Sequence, residues 1–127
     1  HSSFRGSGFL KYKDDFFLFI NLEKEKFSKS AIYHNTFLSK DTFTYQSKPS
    51  QSQEKGDGER LIENKKYNVK LHIFVRKFVQ VDKKTQEFIY LGLANSIKYW
   101  GNKPISLELK LEIPLSNKLF EEFTKLV

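Results

Sequence analysis

From residue 104 to 113 apolar and polar side chains alternate: Ile105, Leu107, Leu109, Leu111 and Ile113 are interleaved with Ser106, Glu108, Lys110 and Glu112. A period of two sends one set to a core and the other to water, so this is a strand with one solvated face. The same pattern predicts a strand at 69–78, where Val69, Leu71, Ile73 and Val75 oppose Lys70, His72, Phe74 and Arg76. At 42–48, Phe43 and Tyr45 oppose Thr44, Gln46 and Lys48. Segments 8–12 and 15–22 flank the polar step Lys13-Asp14 and predict an opening hairpin. Phe16 to Ile20 is apolar almost throughout, the mark of a strand covered on both faces. A turn at Asp82-Lys83-Lys84 leads into a further strand at 87–93.

The connections are equally patterned. Residues 23–30 form a charged turn that Phe27 pins to the core. Pro49, Gly56 and Gly58 punctuate a run of Ser and Gln, which marks 49–58 as a polar loop. Residues 59–64 fit one or two helical turns, with Asp57 near the cap. Ser116 caps a final helix whose buried stripe is Leu119, Phe120, Phe123 and Val127. About six or seven short strands with one or two small helices and a C-terminal helix predict a mainly β (α+β) domain. Its expected form is a curved β-barrel or pseudobarrel, since closure removes the exposed edges of a Phe-rich sheet.

Composition narrows the functional classes. The 127 residues form one domain, expected to span 8–127 behind a non-native or disordered lead at 1–7. The chain has no Met and reads as a domain excised from a larger protein whose catalytic parts lie elsewhere. Lack of cysteine excludes a disulfide framework, a Cys-ligated zinc site and a thiol nucleophile; it fits a cytoplasmic setting. No apolar run reaches the roughly 18 residues of a membrane span, so no membrane partner is expected. The net charge of +7 favours polyanionic partners, though the codon bias of an AT-rich genome would raise Lys content equally.

Catalytic signatures are missing from the sequence. His72 stands on a strand with no partner at metal-ligand spacing, and no phosphate-cradling glycine pattern or nucleophile elbow occurs. The expectation is a non-catalytic domain without a cofactor or metal. Binding residues, by contrast, are plentiful between 33 and 92. Arg60, Arg76, Lys77, Lys48 and Lys55 suit phosphates. Asn35, Gln46 and Gln51 or Gln53 are amides able to address base edges, with Thr44 and Ser47 beside them. Tyr33, Tyr45 and Trp100 offer rings for stacking, and His34 adjoins Tyr33. Phe43 reads as core, whereas Tyr45 fits either core or stacking.

Several short motifs recur in a fixed order: Tyr33-His34-Asn35, Phe43-Thr44-Tyr45-Gln46-Ser47-Lys48, Gly58-Glu59-Arg60, Ile73-Phe74-Val75-Arg76-Lys77, Tyr90-Leu91-Gly92 and Lys103-Pro104. In this order the chain resembles the domain of unknown function at the C-terminus of superfamily-two helicase proteins. Many of those carry a phospholipase-D-type nuclease and act as modification-dependent (type IV) restriction enzymes. The resemblance implies a target-recognition domain that binds double-stranded DNA, reading sequence or modified cytosine, beside the helicase/ATPase and nuclease parts of its parent. It implies an SRA-, PUA- or B3-like barrel, with 33–37 and the loop 49–58 as pocket wall or arm. Asn35, Tyr45 and Lys48 stand where the family pattern has Asp, Trp and Gln, so these positions either set a different specificity or are structural. A protein-docking or RNA-binding module is the alternative reading.

Overall fold

The structure, a computed structural model, describes residues 8–22, 37–47, 53–54, 56–77 and 80–124. In chain order its elements are β1 (Gly8–Tyr12), β2 (Asp15–Asn21), β3 (Thr42–Gln46), α1 (Gly56–Ile62), β4 (Lys70–Arg76), β5 (Gln80–Val81), β6 (Lys84–Thr85), β7 (Ile89–Trp100), β8 (Ser106–Leu111) and α2 (Asn117–Thr124). Six strands form one sheet in the order β1-β2-β4-β7-β8-β3. β2 and β4 run parallel and the other neighbours antiparallel. β5 and β6 form a separate ribbon whose turn residues Asp82 and Lys83 both have positive φ, as a two-residue hairpin loop of the primed type requires.

The fold is mainly β with two short helices, the second at the C-terminal end, and its sheet does not close into a barrel. Among the described residues β1 and β3 remain at opposite edges. The core is sealed instead by a second layer. Phe16, Leu18, Ile20, Phe43, Tyr45, Leu71, Ile73, Val75, Leu107 and Leu109 share a core with Leu61 and Ile62 of α1 and Phe123 of α2. A sheet with one apolar face needs one covering layer, and these helices supply it. Ser116 Oγ accepts from the Leu119 N–H at 3.1 Å, the expected cap of α2, and Phe123 stacks on Phe37 at 5.6 Å.

Alternation was a good guide to the inward face and a poor one to the outward face of β2. Phe16, Leu18 and Ile20 are fully buried, but Phe17 and Phe19 on the other side are only half-buried and lie outside that core. They lie against aromatic residues of β4 instead: Phe17 stacks on His72 at 4.8 Å and Phe19 on Phe74 at 4.8 Å.

β7 is the longest strand and extends well past the expected 87–93. Two register shifts break its alternation, one opposite Ile73/Phe74 and one between Ser96 and Lys98. Gly92, with φ 93°, lies at the first of these irregularities, in a backbone region that other residues rarely adopt. Beyond Ala94, β7 outruns β4, and Asn64 fills the gap. Its Oδ1 accepts from the Ser96 N–H at 2.9 Å, and its Nδ2 donates to Val69 O at 3.1 Å and Asn95 Oδ1 at 2.9 Å.

Candidate nucleic-acid interface

Because the helices lie on the inner face, the outer face of the sheet is where the polar residues of the alternating strands collect. Cross-strand pairing sets them in rows. Gln46 pairs with Ser106 and Ser106 with Trp100; Thr44 pairs with Glu108 and Glu108 with Lys98. Lys98 Nζ lies 5.7 Å from the centre of the Trp100 ring, which is 44 % exposed. The polar loop reaches the same corner. Gln53 donates its side-chain amide to Gly101 O and its backbone N–H to Asn102 Oδ1 at 2.9 Å, fastening the loop to the β7–β8 turn. An amide, an indole, a hydroxyl and a lysine thus converge at one end of the open face.

The other end of that face is aromatic. Phe17, His72 and Tyr90 form a row across β2, β4 and β7, with Phe19 and Phe74 beside it. His72 is not isolated as its strand pattern suggested. Its Nε2 lies 2.8 Å from Asp15 Oδ1 and its Nδ1 3.0 Å from the Tyr90 hydroxyl. Asp15 comes from a different strand, 57 positions away in sequence, which is why spacing along the chain gave no hint of the pair. Among the described residues no cluster of three or more His, Cys, Asp or Glu is arranged to hold a metal ion.

The residues expected to bind DNA are dispersed by this fold. Gln46 is exposed and Thr44 half-buried on the outer face. Tyr45 faces inward, 3 % exposed, and its burial raises the phenol pKa; this resolves the choice between core and stacking in favour of core. Ser47 is also buried, because its Oγ accepts from the Ile105 N–H at 2.9 Å and its N–H donates to Ile105 O at 2.8 Å. Together these two bonds extend the β3–β8 pairing by one step.

Arg60 belongs to the other side of the molecule. Its Nη2 donates to Asp14 Oδ1 at 2.5 Å and its guanidinium sits 5.2 Å from the Phe16 ring centre, tying α1 to the β1–β2 turn. Four strand spacings, about 19 Å, separate β2 from the edge that carries Gln46. Arg76 is 5 % exposed at the end of β4, where desolvation lowers its pKa. Its Nε donates to Asn21 Oδ1 at 2.6 Å, Nη1 to Gln86 O at 2.9 Å, and its plane packs 4.1 Å from the Phe88 ring centre. Buried in this way, Arg76 is a structural clamp between β2, β4 and the segment after β6, and not a backbone contact. Lys77 follows it, half-buried. Arg60, Arg76 and Gln46 therefore do not share a face. Tyr33, His34, Asn35, Lys48 and Gln51 lie outside the described residues, as do Phe27, Lys55 and Val127. Sequence reading missed Lys98 and Asn64; on β7 it singled out Trp100 for stacking and Tyr90 only within the motif Tyr90-Leu91-Gly92.

No helix among the described residues is long and apolar enough to cross a membrane. No curated protein matches the chain. A family model does match it, over residues 1–123, almost the entire length: the chain belongs to the family described as domain of unknown function DUF3427.

Proposed function

We propose that this domain binds DNA as the target-recognition part of a larger restriction protein that carries helicase and nuclease functions, and that it performs no chemistry itself. The observation that carries the reading is the outer-face row Gln46–Ser106–Trp100 with Lys98 against the indole. An amide can pair two hydrogen bonds with a base edge, an indole can stack or wedge, and lysines neutralise phosphate. The net charge of +7 points the same way, and so does the order of motifs shared with helicase-linked domains. In this reading Gln46 and Trp100 address bases while Lys98 and Lys103 approach the backbone. Methylated or hydroxymethylated cytosine is the expected target.

The test is a titration of paired unmethylated and methylated duplexes over a salt series. Gln46→Ala is expected to relax discrimination between targets. Lys98→Ala is expected to weaken all duplexes alike and lower the salt slope by about one. Failure of the wild-type chain to bind any duplex at low salt sinks the proposal.

A further inference from the structure

The turn from β7 to β8 is held at both ends by the chain that follows β3. At the β8 end Ser47 Oγ accepts from the Ile105 N–H at 2.9 Å, and the Ser47 N–H donates to Ile105 O at 2.8 Å. At the β7 end Gln53 grips the two residues after Trp100. Its side-chain amide donates to Gly101 O, and its backbone N–H donates to Asn102 Oδ1 at 2.9 Å. Between these grips the turn is tightly wound: Gly101 has φ 79°, and a Cβ there would meet Pro104 O at 3.4 Å.

The two grips hold the two reading side chains. Gln46 ends β3, and Ser47 continues its pairing with β8 by one step. Trp100 ends β7 and has no strand pairing beyond it; the bonds from Gln53 to Gly101 and Asn102 stand in place of that pairing. Gln46 and Trp100 flank Ser106 in one row, two strand spacings or about 10 Å apart. Duplex DNA rises about 3.4 Å per base pair, so an amide and an indole at that separation meet bases about three steps apart. A shift of the indole by about 3.4 Å moves its contact to the next base pair, so the place of the turn is part of the readout. The Gln53 bonds lie at the surface, where a hydrogen bond adds little to folding stability because water replaces it readily. Their effect on binding is larger, since a side chain held before its ligand arrives loses less freedom and presents one geometry to competing targets.

We infer that Gln53 and Asn102 are positioning residues for DNA recognition. They hold Trp100 at a fixed separation from Gln46, so that the corner reads two bases about three steps apart. The inference rests on the proposed function and deepens it; both residues act through Trp100.

Trp100 is the only tryptophan, so its emission reports the corner directly. Gln53→Met keeps the length of the side chain without a donor, and Asn102→Ala removes the acceptor of the Gln53 N–H. Each is expected to lower the fluorescence anisotropy of Trp100 and raise its quenching by acrylamide, with the urea midpoint unchanged. Each is also expected to weaken binding of the methylated and unmethylated duplexes about three- to tenfold. Asn102→Asp, which keeps an acceptor for the Gln53 N–H, is expected to hold the Trp100 anisotropy at the wild-type value, a rescue that a general loss of stability would not show. Duplex binding by both variants within about twofold of wild type overturns this inference and leaves the proposed function standing. Unchanged Trp100 anisotropy, or an affinity loss that tracks a lowered urea midpoint, does the same. A wild-type chain that binds neither duplex overturns both.

Discussion

Asn64 offers the sharpest test of how this sheet is held together. It is 2 % exposed and serves β7 where β4 no longer does, accepting from the Ser96 N–H and donating to Val69 O and Asn95 Oδ1. Asn64→Ala strands the Ser96 N–H and the side-chain bond to Val69 O, although Val69 O lies beside a hollow bordered by Lys70 and Asn95 that admits solvent. An unsatisfied buried group costs about 1–3 kcal/mol, and a hydrated one less, so the expected loss is about 2–3 kcal/mol. Asn64→Asp adds a second lever. It preserves the acceptor for Ser96 but turns the donor into an oxygen facing Val69 O, and it buries a carboxylate. Burial raises that carboxyl's folded pKa above its unfolded value, so the protonated form is favoured and the deficit grows as pH rises through and above the carboxylate range. Urea unfolding, followed by circular dichroism and by the fluorescence of Trp100, the only tryptophan, measures both variants. Asn64→Ala within about 0.5 kcal/mol of wild type at unchanged m-value, or an Asn64→Asp deficit no smaller at pH 4 than at pH 7, would falsify this account.

Arg76→Lys is expected to cost about 1–3 kcal/mol of stability through loss of the guanidinium's bond to buried Asn21 and its packing on Phe88, yet to leave DNA affinity unchanged; unfolding and binding assays on one preparation separate the two. Gly92→Ala finds open space for its methyl group but must adopt φ 93°, so a destabilisation of about 1–2 kcal/mol is expected in urea titrations. Ser96 Oγ is the one buried side-chain polar atom among the described residues without a hydrogen-bond partner, and Ser96→Ala is expected to leave stability equal or slightly higher. Asp41 accepts from the Thr42 and Ser39 hydroxyls, which hold its carboxyl below the ordinary range. A depressed folded pKa gives stability that is present above the unfolded value and is lost as pH falls through the folded one, so Asp41→Asn should flatten the acid limb of a stability–pH curve below about pH 4.

Strands whose inner and outer faces differ in polarity were legible in the sequence, because burial on one side imposes the period-two pattern directly. Thus 104–113, 69–78 and 42–48 contain β8, β4 and β3, and the opening hairpin has its turn at Lys13-Asp14. Two features resisted the same logic for separate reasons. The second half of β7 lost its alternation to a bulge, so Ala94 to Trp100 gave no strand signal although β8 pairs with it throughout. In β2 the run Phe16–Ile20 implied two covering layers, whereas Phe17 and Phe19 are sheltered by the rings of His72 and Phe74. Periodicity reports that a side chain is apolar; whether a second layer or a neighbouring strand shelters it is decided by tertiary packing. Closure into a barrel failed on the same point, because α1 and α2 seal the single apolar face before the sheet needs to curl.

The ordered motifs divide along the same physical line, and the division bears on what they mean. Ser47 in Tyr45-Gln46-Ser47, Arg60 in Gly58-Glu59-Arg60 and Arg76 in Phe74-Val75-Arg76 are each spent on the fold: a strand extension, a tie from helix to turn and a buried clamp. Their charge or polarity resembles a binding signature only while their partners are unknown, since those partners lie far away in sequence. Gln46 and Tyr90 differ because their side chains lie on the solvated face after the fold is complete. The Tyr90-Leu91-Gly92 motif shows how the two kinds of residue are linked: the positive φ of Gly92 accompanies the register shift in β7, and that shift sets Tyr90 across from Phe74 at the β7 end of the ring row. A glycine required by backbone geometry thus fixes where the Tyr90 ring lies, and altering Gly92 should move that ring as well as costing stability through strain.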